Sequence, residues 1–290
     1  MNPNYQLPIA NYQLGLIGYP LDHSLSPRIH SAALKSCGLA GDYSLFPIPP
    51  EDRQALQALL ARVRSGDIRG LNVTIPHKQS VVEFMDDLTP TAQAIGAVNA
   101  MYMRGNKLIG DNTDAAGFLA DLKKVNKETG AQGNKSALVL GAGGSARAVV
   151  YALLNDGWNV TLAARRLEQA GQLAKSVASY RLQVTSYETF QPSTLQLLSG
   201  QAFDLLVNTT PLGMTPNIDQ SPLPENILLP KDIMIYDLVY NPRETKLVRD
   251  AKAQGCRAAT GIGMLIEQAA LAFELWTGHT PPRTALYQAI

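Results

Sequence analysis

Cysteine is scarce: Cys37 and Cys256 are the whole supply in 290 residues, and they share no C-x-x-C spacing. That excludes a disulfide-framed fold and points to two reduced, buried thiols in a cytoplasmic protein. Histidine is nearly as rare, and His23, His30, His77 and His279 form no metal-ligand pattern. Excess charge is lacking too. With a net charge of +1, no field gathers nucleic acid or an anionic membrane. No apolar run approaches the ~20 residues of a membrane span. The opening MNPNYQLPIANYQ lacks the apolar core of a secretion signal, and there is no internal repeat or low-complexity tract. What remains is an expectation of a cytoplasmic protein with a small-molecule partner.

Hydrophobic residues make up 46% of the chain, ample for packed cores, and its length suggests two domains. The most informative stretch is Ala137-Leu138-Val139-Leu140 running into Gly141-Ala142-Gly143-Gly144-Ser145-Ala146. Ala148, Val149, Val150, Ala152 and Leu153 then follow at helical spacing. This reads as strand, tight turn, helix, and fits G-x-G-x-x-G/A. Gly141 can take a positive φ, Gly143 lets an anion approach the backbone, and Ala146 lets helix and strand lie close. The turn alone does not single out a dinucleotide site. A second strand, Trp158 to Ala163, closes a βαβ unit, and Ala164, Arg165 and Arg166 follow it. No carboxylate stands there for a ribose 2′-hydroxyl, whereas two guanidiniums suit a 2′-phosphate, so NADP is expected over NAD.

The first half reads as β-α-β-α: strands at Leu14–Gly18 and Tyr43–Ile48, a helix from Ser26-Pro27, and a helix after Pro50-Glu51-Asp52. Ser26 reads as a helix N-cap and Ser24 as a loop hydroxyl, or both as hydroxyls directed into one cleft. A strand over Ile68–Ile75 runs into Pro76-His77-Lys78, with a helix expected through Val81, Val82, Phe84 and Met85. Asn99 belongs to another strand, and a hairpin at Arg104-Gly105-Asn106-Lys107 leads to Gly110-Asp111-Asn112-Thr113-Asp114. Lys78 reads as a surface charge or a site residue, and Asp114 as a helix cap or a site residue. Polar groups thus gather at strand ends, where α/β domains bind ligands: Asn72, Thr74, Lys78, Asn99 and Asp114. Later strands are expected at Phe203–Asn208, before Thr209, and at Ile233–Val239, before Tyr240. A last helix starts near Gly261-Ile262-Gly263 and carries Gln268.

In order along nearly the whole chain, Ser24-Leu25-Ser26-Pro27, Asn72-Val73-Thr74-Ile75-Pro76-His77-Lys78, Gly96-Ala97-Val98-Asn99, Gly110-Asp111-Asn112-Thr113-Asp114, Gly141 to Ala146, and Gly261-Ile262-Gly263-Met264-Leu265 with Gln268 resemble the shikimate dehydrogenases. The resemblance implies an α/β fold of two domains flanking a cleft. Residues 1–114 with 264–290 would be the substrate-binding and catalytic domain, and residues 115–263 a Rossmann domain for NADP. It implies Lys78 and Asp114 as the catalytic pair. Ser24, Ser26, Asn72, Thr74, Asn99, Tyr240 and Gln268 would join them in holding shikimate. On the coenzyme side it implies Gly141, Ala142, Gly143, Gly144, Ser145, Ala146, Arg165, Arg166, Thr209, Leu238 and Gly261, and no metal. The protein would reduce 3-dehydroshikimate reversibly, as a monomer or homodimer. The sequence departs from the family at Ala164-Arg165-Arg166, where Asn-Arg-Thr is common, at Gln169, often arginine, and at Ala115, usually glycine. The rival readings are a quinate/shikimate dehydrogenase of broader specificity, a non-catalytic NADP-binding sensor, and a folate-linked dehydrogenase. The intact Lys78 and Asp114 speak against the sensor, and the paired serines against the last.

Overall fold

The computed structural model describes residues 11–129, 135–177, 179, 181–186, 203–225 and 227–290. The chain forms two α/β units. One comprises Met1–Gln93, Ala97–Thr113 and Gln268–Ile290, the other Ala94–Gly96 and Asp114–Glu267. No described helix is long and apolar enough to cross a membrane.

The first unit is built on strands β1 (Tyr12–Gly18), β2 (Gly41–Pro47), β3 (Gly70–Val73), β4 (Asp87–Leu88), β5 (Ala100–Arg104) and β6 (Lys107–Asp111). They lie in the order β2-β1-β3-β5-β6-β4. β1 pairs in parallel with both β2 and β3, and β5 returns antiparallel beside β3. Helices α1 (Ser26–Ser36) and α2 (Arg53–Arg64) make the parallel crossovers. Asp52 caps α2 by accepting from the Ala55 N–H at 2.9 Å, and Leu56, Leu59, Leu60 and Val63 are buried along one stripe. These side chains join Ile17, Leu71, Val73 and Met101 in the core.

The second unit carries β7 (Ser136–Leu140), β8 (Asn159–Ala164), β9 (Leu182–Ser186), β10 (Leu205–Asn208), β11 (Met234–Asp237) and β12 (Arg257–Thr260). All are parallel, in the order β12-β11-β10-β7-β8-β9. Four-residue runs such as Leu205–Asn208 and Met234–Asp237 are buried throughout, as strands covered on both faces must be. The order reverses at β7, with β8 on one side and β10 on the other. Such a switch point opens a crevice at the strands' C-terminal ends. Helices α4 (Asp114–Thr129), α5 (Gly144–Asn155), α6 (Leu167–Val177) and α7 (Lys246–Ala253) accompany this sheet.

The expected α/β architecture with two sheets is present, and local details differ from expectation. The helix expected through Val81–Met85 is a 3₁₀ turn, Ser80–Phe84. Strand pairing expected over Ile68–Ile75 is confined to Gly70–Val73, because beyond Val73 the backbone turns, with His77 N–H on the Thr74 carbonyl. The short helix α3 (Pro90–Ile95), strand β9 and the helix α9 (Arg283–Gln288) that follows α8 (Ile262–Thr277) have no counterpart among the elements expected from sequence. Ser26 is not the N-cap of α1. That position falls on Leu25, whose backbone is already helical (φ −85°, ψ −8°), and no side-chain cap bond forms. A capping hydroxyl needs an extended backbone to reach the free N–H groups, so the Ser26 hydroxyl is not spent on its own helix.

Candidate functional site

In the first unit the predicted residues meet at the C-terminal ends of β1 and β3. Two backbone bonds bind these ends: Tyr19 N–H to the Ile75 carbonyl, and Thr74 N–H to the Ile17 carbonyl, both 2.9 Å. Gly18 makes the approach possible, since a Cβ there would lie 2.3 Å from the Thr74 methyl. The loop leaving β1 carries half-buried Ser24, buried Ser26 opens α1 after it, and Ser26 N–H donates to Ser24 Oγ at 3.3 Å. After β3, His77 is buried and its Nε2 lies 2.6 Å from the Ile48 carbonyl oxygen. A carbonyl can only accept, so Nε2 bears the proton. Lys78 comes next, half-buried, with its carbonyl taken by Val98 N–H at 2.7 Å. That bond sets Lys78 beside the strand entry that holds Asn99.

Asn99 is the hub of a buried polar network. Its Oδ1 accepts from Thr113 N–H at 2.7 Å, and its Nδ2 lies 2.9 Å from Thr113 Oγ1 and 3.3 Å from Gln268 Oε1. Its backbone carbonyl accepts from Asn72 Nδ2 at 3.2 Å, and Asn72 Oδ1 in turn accepts from the Tyr43 hydroxyl at 2.8 Å. Asn112, the neighbour of Thr113, donates to the Ala97 carbonyl at 2.9 Å. The unit therefore joins Asn72, Asn99 and Gln268 directly and ties Thr74 and Lys78 to them through the backbone. Thr113 and Tyr43 were not singled out from sequence. Thr113 resembles an ordinary turn residue there, and Tyr43 an ordinary strand aromatic.

Asp114, Tyr240 and the predicted coenzyme residues belong to the second unit. Asp114 opens α4 and is buried. Tyr240 is half-buried, and burial pushes its phenol above the usual value. Gly141 has φ +108°, and a Cβ there would lie 2.6 Å from Thr209 Oγ1, so both conformation and space demand glycine. Thr209 Oγ1 donates to the Leu140 carbonyl at 2.6 Å, locking the β10 loop to the β7 turn. Gly143 is exposed, lacks a side-chain cap for α5, and has open space where a Cβ would stand. Ala142, Gly144 and Ser145 are half-buried around it, and Ala146 is fully buried beneath the helix. Arg165 and Arg166 are exposed immediately after β8, and β8 pairs Ala163 with Leu140 beside the glycine turn. Gly261 comes so close to Leu238 that a Cβ would lie 2.2 Å from its carbonyl oxygen. Uncapped N–H groups, open space and two guanidiniums fit an anionic dinucleotide.

A buried network behind this crevice was also not foreseen. Asp237 accepts from Asn208 Nδ2 at 2.8 Å, Val239 N–H at 3.0 Å and Thr245 Oγ1 at 2.6 Å. Asn208 Oδ1 accepts from Thr210 N–H at 3.0 Å and Thr210 Oγ1 at 2.7 Å. Burial pushes the Asp237 carboxyl up to about 6, against the opposing pull of those donors. The network fixes the two loops that carry Thr209 and Leu238. Its sequence signal is modest: an Asn and an Asp closing two buried strands.

Residues 16–101 match the family profile described as shikimate dehydrogenase substrate binding domain, and residues 261–290 that of the shikimate 5'-dehydrogenase C-terminal domain. The NADP(+) shikimate dehydrogenase of Salinibacter ruber is 42% identical over 284 residues, covering 95% of each chain. The shikimate 5-dehydrogenase of Thermus thermophilus, solved with NADP(H) and shikimate, superposes with a TM-score of 0.81 at 38% identity, covering 96% of this chain and 98% of that one. The quinate dehydrogenase of Corynebacterium glutamicum, solved with NAD, gives a TM-score of 0.83 at 30% identity, covering 96% and 98%.

Proposed function

The chain belongs to the shikimate dehydrogenase family, and from that premise we propose that it reduces 3-dehydroshikimate reversibly to shikimate with NADP. The reaction is a step toward aromatic amino acids, carried out in the cytoplasm by a monomer or homodimer. Residues 1–114 with 264–290 serve substrate and catalysis, and residues 115–263 serve the coenzyme. The observation that carries the coenzyme choice is the exposed Arg165-Arg166 pair after β8 with no acid beside it. Charge-assisted bonds from guanidiniums to a 2′-phosphate contribute ~1.5–3 kcal/mol each.

When bound, the nicotinamide coenzyme supplies or accepts the hydride. The chain's own residues do the rest. Lys78 holds a proton at the substrate oxygen that becomes an alkoxide, and Asp114 orients the ammonium. Ser24 and Ser26 offer hydroxyl donors to the substrate carboxylate. Asn72, Thr74, Asn99, Gln268 and Tyr240 meet its hydroxyls. Gly141, Ala142, Gly143, Gly144, Ser145 and Ala146 hold the pyrophosphate, with Thr209, Leu238 and Gly261 closing that side.

The quinate reading stays beside this one because the C. glutamicum structure is a quinate dehydrogenase with NAD. The test is oxidation of shikimate and quinate, each with NADP and NAD. A marked preference for shikimate with NADP is expected. Quinate turnover equal to that of shikimate, or equal efficiency with NAD, refutes the assignment. Tight NADP binding without turnover of either substrate identifies a sensor.

A further inference from the structure

Behind the β3 strand end lies an aromatic cluster that the reaction does not use. His30 of α1 is fully buried and stacks on Tyr43 of β2, with ring centroids 4.3 Å apart and planes 2° apart. Phe273 and Trp276 of α8 (Ile262–Thr277) close around the imidazole at 6.3 and 5.3 Å. Gly70 admits Trp276: a Cβ there would lie 2.4 Å from the indole. Neither His30 nitrogen finds a hydrogen-bond partner. Burial pushes the ring down to about 3, the neighbouring Asn72 side chain working the other way, so it stays neutral. The Tyr43 hydroxyl reaches out of the cluster and donates to Asn72 Oδ1 at 2.8 Å.

The direction of each bond in this chain is forced. The Asn99 backbone carbonyl can only accept, so the Asn72 amide nitrogen must face it. Asn72 Oδ1 then faces Tyr43, and the phenol must be the donor. Asn72 has a second N–H beyond the one given to Asn99. With Oδ1 and the first N–H engaged at either end, that second N–H is the remaining donor of the amide. The reverse amide orientation would set an oxygen against the Asn99 carbonyl and turn the phenol into an acceptor.

We propose that Tyr43, held flat by His30, is a positioning residue: the Asn99 carbonyl sets the sense of the Asn72 amide, and the Tyr43 hydroxyl, donating to Oδ1, holds the amide in place so that Asn72 presents its second N–H to a substrate hydroxyl. This rests on the shikimate reading above. It adds a selectivity element, a donor of fixed polarity that favours a hydroxyl oxygen at this point and disfavours a substrate lacking one.

The test is a double-mutant cycle of Tyr43→Phe and Asn72→Ala, read as kcat and KM for shikimate under saturating NADP. Tyr43→Phe keeps the stacked ring and removes only the hydroxyl. It is expected to raise the shikimate KM about 3- to 10-fold, the range of one neutral hydrogen bond. The kcat and the NADP KM should hold within about twofold. On the Asn72→Ala background Tyr43→Phe should have almost no further effect, because its target is gone. Unchanged kinetics in Tyr43→Phe overturn the proposal. So does an equal loss on both backgrounds, the mark of a merely structural role, and so does a normal shikimate KM in Asn72→Ala. Should Tyr43→Phe fail to fold, Asn72→Asp carries the test: it keeps the shape without the amide donor. Its kcat/KM must be no better than that of Asn72→Ala, and a near-wild-type value overturns the proposal. A wild-type chain that oxidises no shikimate rejects the functional reading itself, a result distinct from any of these.

Discussion

Lys78 and Asp114 show how little a single residue reveals about its task. Lysine after a strand and aspartate at a helix start are common surface and capping choices. The structure adds particulars: the Lys78 carbonyl is pinned by Val98 N–H at 2.7 Å, and Asp114 is buried. A side chain whose backbone is held on both sides of the Pro76 turn is prepositioned for work at one point. If Lys78 serves the developing alkoxide, its loss should weaken the transition state more than the ground state. Lys78→Ala is therefore expected to lower kcat by ~10²–10⁴ with a nearly constant shikimate KM and an unaltered Tm. On the proposed pairing Asp114→Asn should also lower kcat, and the double variant should fall well short of additivity, as residues that serve one step do. A folded Lys78→Ala protein with near-normal kcat would move the proton role elsewhere, with Tyr240 the next candidate.

Among the elements, the loops after β10 and β11 depend on one buried carboxylate. Asp237 binds Asn208 of β10, Val239 of its own loop and Thr245 before α7, and its carboxyl is raised to about 6. The folded protein thus holds this proton more tightly than the unfolded chain, where the group titrates near its ordinary value of 3.8. The group's contribution to stability is full below about 4, falls as pH climbs to about 6, and is flat above that. Asp237→Asn removes this dependence. Relative to wild type the variant should gain on the order of 2–3 kcal/mol between pH 4 and pH 7, read from paired denaturation curves. A constant difference across that range contradicts the assignment. The same elements show what a sequence can disclose. Strand β7, its glycine turn and α5 were plain because an apolar run, Gly141 and a helical stripe are all local signals. Asn72, Asn99 and Gln268 were legible as polar residues at strand ends. The bonds among them were not, since they join positions up to 169 residues apart. Tyr43 was hidden for the same reason: its partner, 29 residues on, lies across β1 on another strand. Helix α3 was missed because six residues give too little periodicity to read.

Across the whole molecule, the net charge of +1 leaves no general field to draw in an anionic coenzyme. Choice between NADP and NAD must then be made locally, and the two differ only in the 2′-phosphate. The acid that would receive a free 2′-hydroxyl is missing after β8, and exposed Arg165 and Arg166 stand in its place. Binding energy appears as stability of the unit that binds, by RT ln(1 + [L]/Kd), about 2.7 kcal/mol at a hundredfold excess over Kd. For a domain of this size that is a rise in Tm of several degrees. At equal millimolar concentrations NADP should therefore raise the Tm clearly more than NAD does. Arg165→Ala should bring the NADP shift down toward that of NAD and leave the ligand-free Tm unchanged, because the side chain is exposed. The excess should also shrink in high salt, since solvent-exposed charge pairs are screened. Equal shifts from the two coenzymes in the wild-type protein would place the 2′-phosphate outside the site and leave the arginine pair as ordinary surface charge.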